Sequence, residues 1–542
     1  MIRFAAILTV CCSAASILCG TVLPAAESTL HERIDELIEA AADGPLAKRA
    51  DDAEFLRRVY LDLAGRIPSL VETQSFLNDA ALDKRVVLID QLLGGPEFPK
   101  RMSSLFHVML MERLGEDGAW IKYLQDSFAE NKSWSQMARE MAHPNAEDEA
   151  TRGSAFFLSK RLENYGQNPV DYPGLVRDVG RLFLGVDVQC AQCHDHLFVD
   201  DYKQVDYQGL YGFLGTTVLR QDVKFPAVGE NLLAKKVDFK SVFVLEENVT
   251  GPRLPGGEEV AIPTFAKGEE YLSPPDKKTR FPGVPKFSPL HELAARLSDH
   301  PSFGRNISNR LWWVMMGRGL VMPLDLHHSD NPATHPELFE LLGKALAARD
   351  YDMRWFIREL ALSETYQRSS ELPDAVDSVS ETSYRIALEK PLSMEQLLAA
   401  MLQANWNGEV PALVSDEPSE GSPSTDLKAL RERFAQAFAN PPREPEVGFS
   451  PSVKAALFLL NDDVVLSWLE PRDTNLVGRL NQRADPAQIA DELYLSVLTR
   501  RPSEEELAES KAYLASHPSD RAAAIGRLAW ALLASTEFCV NH

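Results

Sequence analysis

Leu175-Val176-Arg177-Asp178-Val179-Gly180-Arg181-Leu182-Phe183-Leu184-Gly185-Val186-Asp187-Val188-Gln189-Cys190-Ala191-Gln192-Cys193-His194-Asp195-His196 is the stretch from which the rest of the chain can be ordered. Leu175, Val176, Val179, Leu182 and Phe183 fall on one face of a helix, and Gly185 supplies its stop. The second half contains the pentapeptide Cys190-Ala191-Gln192-Cys193-His194. Two thiols three residues apart can add to the vinyl groups of a haem, and the histidine that follows is then held under the iron. The motif is therefore expected where a helix ends and a new element begins.

Working outward, the flanking sequence is also helical. Thr29 with Glu32 and Ser69 with Glu72 have capping-box spacing, and Phe55, Val59 and Leu63 mark a helix between them, stopped by Gly65 and Pro68. From about Thr216 the pattern changes. Val237 and Phe239 alternate with Asp238 and Lys240, the apolar run Val242-Phe243-Val244-Leu245 follows, and prolines and glycines recur as far as Pro289. Helical grammar returns with Phe303, Ile307, Leu311, Val314 and Met315, and with capping spacings at Thr334/Glu337, Ser393/Gln396 and Ser503/Glu506. Trp406–Asp426, rich in Pro, Ser, Gly and Glu, reads as a surface loop. The expected fold is mainly α, two helical domains (27–215 and 290–542) flanking a small β-rich segment (216–289).

The first 26 residues read as a signal peptide. Arg3 precedes an apolar core from Phe4 to Leu18, and Ala25-Ala26 offer a small-residue exit. The core is short for a bilayer span and broken by Thr9, Ser13 and Ser16. Cleavage is favoured over lipidation at Cys19, because Ser16-Ile17-Leu18 lacks the small residues that usually precede a lipidated cysteine. The expected product is exported, periplasmic or cell-surface associated, with no membrane span. Removing Cys11, Cys12 and Cys19 leaves Cys190, Cys193 and Cys539, too few for a disulfide framework. With 45% hydrophobic residues the chain can build large cores without one. The net charge of −23 repels DNA, RNA and anionic lipid, which argues against a nucleic-acid partner and leaves a redox or surface protein as the expected one.

Several longer runs carry a family resemblance. Arg57-Arg58-Val59-Tyr60-Leu61-Asp62-Leu63-Ala64-Gly65-Arg66-Ile67-Pro68 resembles the opening of a planctomycete cytochrome-like domain of unknown function, and Cys190–His196 resembles its signature. Phe303-Gly304-Arg305-Asn306-Ile307-Ser308-Asn309-Arg310-Leu311-Trp312, Gly317–Leu320, Asn331-Pro332, His335–Leu338 and Glu537–His542 resemble that domain's usual C-terminal partner. Leu197 stands where the family usually has proline, and Phe106-His107-Val108-Met109-Leu110 where a Trp-rich helix is common. The resemblance implies a cytochrome-like motif and no established activity.

Three chemistries compete for the motif. Covalent haem c through Cys190 and Cys193, with His194 on the iron, fits the spacing and the expected compartment, and implies redox or electron-transfer work. There is no methionine between Met141 and Met315, so the sixth position is expected to be open or held by a histidine such as His107. Methionine ligation would need Met109, Met315 or Met316. The second chemistry is zinc or another divalent metal on Cys190, Cys193 and His196 with a remote histidine, or a site using His194 and His196 together. The third is no cofactor, with a Cys190–Cys193 disulfide in a binding or scaffold protein. His327, His328 and His335 read as loop and cap residues, and Trp312, Trp313, Met315 and Met316 as core. Arg305, Asn306, Asn309 and Arg310 form a polar helical face expected to pair with acidic residues of the other domain. No serine triad, phosphate loop or paired-carboxylate signature stands out.

Overall fold

The capping spacings become helix starts in the computed structural model, which describes residues 28–163, 169–244, 246–406, 427–445, 453–473 and 475–542. The stretches expected to be a signal peptide and a surface loop, residues 1–26 and most of 406–426, lie outside the described residues. The N-terminal section runs α1 (Leu30–Ala41), α2 (Asp52–Leu63), α3 (Leu70–Asn78), α4 (Lys84–Gly94), α5 (Glu97–Met111), α6 (Gly118–Ala129), α7 (Trp134–Ala142), α8 (Phe156–Arg161), α9 (Tyr172–Leu184) and α10 (Gln204–Leu214). Three antiparallel hairpins follow: β1 (Thr217–Leu219) with β2 (Val228–Glu230), β3 (Val237–Lys240) with β4 (Glu247–Thr250), and β5 (Tyr271–Ser273) with β6 (Val284–Pro285). They remain separate two-stranded units. The chain then forms α11 (Pro289–Leu297), α12 (Pro301–Met316), α13 (Pro336–Ala348), α14 (Met353–Leu362) and α15 (Glu364–Gln367). After β7 (Lys390–Pro391) come α16 (Met394–Asn405), α17 (Leu427–Phe438), α18 (Val453–Asn461), α19 (Asp463–Ser467), α20 (Leu476–Asn481), α21 (Pro486–Val497), α22 (Glu504–Ser516), α23 (Arg521–Leu533) and α24 (Thr536–Cys539), and β8 (Val540–Asn541) pairs with β7.

Both halves of the capping box form at Thr29/Glu32, Ser69/Glu72, Ser393/Gln396 and Ser503/Glu506. Thr334/Glu337 does not form one. Pro336 lacks an N–H and takes the first helical position, which makes His335 the cap residue, without a side-chain cap bond. Thr334 instead bonds the carbonyl of Leu320 through its N–H and hydroxyl. Ser393→Ala should lower stability by about 1 kcal/mol, read as a shift in the urea midpoint, because it strands the backbone N–H of Gln396.

Packing does not follow the three sequence segments. One hydrophobic core joins α1–α10 to residues 287–384, including Phe55, Val59, Trp134, Phe183, Phe303, Leu311 and Phe356. A second gathers residues 392–538 and takes Leu61 and Ile67 from the N-terminal section. Helix α2 therefore serves both cores. Its Arg57, fully buried, donates to the carbonyls of Val497 and Phe538, where helices α21 and α24 end. Trp312 is core as expected, whereas Trp313 is half-buried and lines a cavity.

The polar face of α12 does reach the N-terminal section, but not through that section's acids. Asn306 donates to the carbonyl of Leu182 at 2.7 Å and Arg310 to that of Arg181 at 3.1 Å, both on α9. Asp325, the carboxylate facing Arg310, belongs to the same section as α12. It also accepts from Arg181 at 2.7 Å, so the basic residue comes from the N-terminal side. Arg305 pairs with Glu340 of α13, and Asn309 exchanges hydrogen bonds with the backbone of Val321. The backbone polar groups at the end of α9 are what this face satisfies.

Candidate functional site at the Cys190–His196 loop

Helix α9 ends at Gly185 with φ of 70°, in the left-handed region that glycine enters without penalty. A β-carbon there would lie 2.9 Å from the ring of His327 and 3.1 Å from Asn306 Oδ1. The Gly185 carbonyl accepts from the backbone N–H of His327, and Val186 bridges Leu326. The C-terminal section thus fixes the direction in which the chain leaves α9. A single turn of tight helix, Gln189–Gln192, follows. Ala191 is fully buried and pins the turn, while Cys190 and Cys193 on either side of it are exposed free thiols.

Helix α10 clamps the loop. The Gln192 carbonyl accepts from the side-chain amides of Gln204 at 3.2 Å and Gln208 at 3.1 Å, and Gln204 also donates to the carbonyl of Lys240. Asp195 Oδ1 accepts the backbone N–H of Gln204 at 2.9 Å, at the helix's N-terminal end. The β-rich segment closes the other side, with Val242 N–H donating to the Cys193 carbonyl at 3.0 Å.

The two histidines of the loop differ in the lone pair they offer. His194 Nδ1 lies 2.6 Å from the backbone carbonyl of Asp195. A carbonyl can only accept, so Nδ1 carries the proton and Nε2 of the neutral ring presents its lone pair. His196 is the reverse. Its Nδ1 accepts the backbone N–H groups of Phe198 at 3.2 Å and Val199 at 2.9 Å, which places the ring proton on Nε2. The loop therefore presents one imidazole suited to binding iron or another metal through Nε2, and it is that of His194.

Several large apolar side chains near the motif are exposed, among exposed acids such as Asp195, Asp200 and Asp201. Phe243 packs at a tilt against His194 with ring centroids 4.7 Å apart, yet is itself 67% exposed. Val242, Val244, Leu197 and Phe198 are also exposed. Clustered large apolar side chains on one surface mark a place that another group covers. The run Val242–Val244 was legible in the sequence, but its position beside His194 was not.

The other expected ligands are engaged elsewhere. His107, buried in the α5–α6 interface, accepts from Trp120 Nε1 at 3.0 Å, which leaves its ring proton on Nε2. Met315 and Met316 are buried in the first core and Met109 packs against it. Among the described residues no group of three or more His, Cys, Asp and Glu is arranged to hold a metal ion. The His327 ring packs on Phe339 at 5.4 Å, and burial, with Arg310 nearby, pushes it down to about 4. His328 meets Tyr202 edge-to-face, and Tyr202 also contacts His196.

Among the described residues no helix is long and apolar enough to cross a membrane. No curated protein and no solved structure matches the chain. Residues 33–218 match the family model described as PSCyt2, protein of unknown function (DUF1549), and residues 291–419 match PSD1, protein of unknown function (DUF1553). The first spans the Cys190–His196 loop and the second begins within α11. Most of the second core lies beyond both. The chain belongs to the two-domain family of unknown function in which a PSCyt2 domain, named as cytochrome-like, precedes a PSD1 domain.

Proposed function

We propose that this is an exported c-type haem protein with a redox role, in which Cys190 and Cys193 would hold the haem through thioether links and His194 Nε2 would ligate its iron. The observation that carries the reading is the His194–Asp195 hydrogen bond, which leaves Nε2 as the ligand atom beside two exposed thiols. The exposed apolar side chains of Leu197, Phe198, Val242, Phe243 and Val244 suit contact with an apolar prosthetic group. Haem, when bound, supplies one-electron chemistry whose potential depends on its axial ligands and burial. The protein's own part is to position and protect. Gln204 and Gln208 hold the turn between the thiols, Asp195 fixes the His194 tautomer, and Phe243 shields one side of the imidazole. His196 keeps the following turn in shape and supplies no ligand.

The test is expression with its leader in a host that attaches haem in the periplasm. Purified chain should carry a haem spectrum that survives denaturation, and a mass increased by one haem. Cys190→Ala with Cys193→Ala should abolish both signals. His194→Ala should keep the added mass while changing the iron spectrum. A chain whose mass is that of polypeptide alone, under conditions where a control cytochrome is loaded, overturns the reading. A mass two hydrogens lower would then identify the Cys190–Cys193 disulfide.

A further inference from the structure

A second candidate site lies where the two cores meet, in a cavity of about 350 Å³ bounded by α5, α12, β7 and α16. Its charged groups are Asp62, Arg101, Lys390 and Glu395, with the exposed Glu389 at its edge. Three of the four inner charges are matched. The Lys390 ammonium contacts both carboxylate oxygens of Asp62, at 2.7 and 2.8 Å, and the carbonyls of Val314 and Met315. Glu395 pairs with Arg113 at 2.6 Å.

Arg101 is the exception. It is 8% exposed, and its single hydrogen bond runs from Nε to the backbone carbonyl of Asp62 at 3.4 Å. Among the described residues no carboxylate lies within 4.0 Å of its guanidinium, and neither terminal nitrogen has a protein partner. Its stem is fixed from behind by Gly65, where φ is 74° and a β-carbon would sit 2.8 Å from Arg101 Cδ. Asp62 and Glu395 act on it only from beyond ion-pair distance, so this buried cation makes no direct pair and an anion brought against it would be favoured.

We propose that this cavity binds a small molecule carrying one carboxylate, which pairs with the two free ends of the Arg101 guanidinium. A planar carboxylate matches that fork. Asp62 and Glu395 already face the cavity, so a dianion such as a phosphate monoester would meet more repulsion than a monoanion. Leu105, Val108 and Trp313 supply an apolar wall for the remainder of the ligand. The proposal is independent of haem attachment, because it uses none of the residues of the Cys190–His196 loop.

The experiment uses the full mature chain and three carboxylates, acetate, benzoate and 3-phenylpropionate, each beside its neutral amide at matched ionic strength. Calorimetric titration and the thermal midpoint are read together. Benzoate or 3-phenylpropionate should bind and raise the midpoint, with the amide weaker by about tenfold or more, as expected for loss of a charge-assisted pair. Arg101→Met should erase the preference for acid over amide, and should leave the ligand-free midpoint unchanged or higher, since it removes a buried charge that forms no ion pair. Leu105→Trp, which fills the cavity and leaves every charge in place, should abolish binding. Absence of binding by all three carboxylates, equal binding of acid and amide, or undiminished binding in either variant overturns the proposal.

Discussion

Replacing Asp325 by alanine is expected to destabilise the protein by about 3–5 kcal/mol, the range for removing one partner of a buried charge pair. Asp325 stands between two guanidinium groups, Arg181 on α9 and Arg310 on α12, all three nearly buried. Arg181 keeps Glu112 at 2.7 Å and Asp178 at 3.3 Å in the variant, but Arg310 is left with the carbonyl of Arg181 and Asn306 Oδ1 alone. Arg310→Met should cost less, because Asp325 then retains Arg181. Urea unfolding of the two variants checks both statements, and a loss below about 1 kcal/mol for Asp325→Ala would show the cluster to be screened like a surface pair. The same cluster sets an acid limit. Burial pushes the Asp178 carboxyl up, but Arg161, Arg181 and Arg177 outweigh it and hold it at about 2, against an ordinary 3.8. Its folded pKa is depressed, so its contribution is complete above pH 4 and is lost as pH falls from about 4 toward 2.

Asp62→Ala is expected to have a comparable effect, about 3–5 kcal/mol, at the seam between the two cores. The carboxylate accepts from Lys390 with both oxygens, from the Tyr366 hydroxyl at 2.8 Å and from the Asn541 amide at 2.8 Å. One side chain on α2 thereby joins residues 366, 390 and 541. Its removal strands the Lys390 ammonium, which burial already pushes below the ordinary lysine value against the opposing pull of Asp62. Without Asp62 that depression should deepen. An unfolded lysine holds its proton up to about pH 10.4, so the variant's unfolded state binds more protons than its folded state over the intervening range. Its stability should therefore rise from pH 7 toward pH 10, and more steeply than that of the parent chain. Parallel slopes for the two proteins would mean that the ammonium reaches solvent in the variant.

Much of the local structure was readable because helix periodicity and capping are short-range. Leu175–Phe183 and Gly185 place α9 and its end, and four of the five capping boxes form where Ser or Thr precedes Glu or Gln by three residues. The fifth, Thr334/Glu337, fails because Pro336 claims the first helical position within the same few residues. The β-rich character of 216–289 was legible, but not its division into three separate hairpins, since strand pairing depends on partners 7 to 14 residues apart.

The candidate site divides in the same way. From sequence alone come the two thiols, the adjacent His194 and the position of the motif after a helix, because covalent spacing is a property of the chain. Which imidazole offers its Nε2 lone pair is decided by the loop's folded path, through the Asp195 carbonyl for His194 and the N–H groups of Phe198 and Val199 for His196. The apolar surface on Phe243 and the unmatched Arg101 likewise exist only after residues far apart in sequence are brought together. Composition and periodicity determined that this chain would be helical, acidic and built around a CxxCH turn. Tertiary packing decided which charges were left without partners, because a charge is matched or stranded only by neighbours that the fold selects.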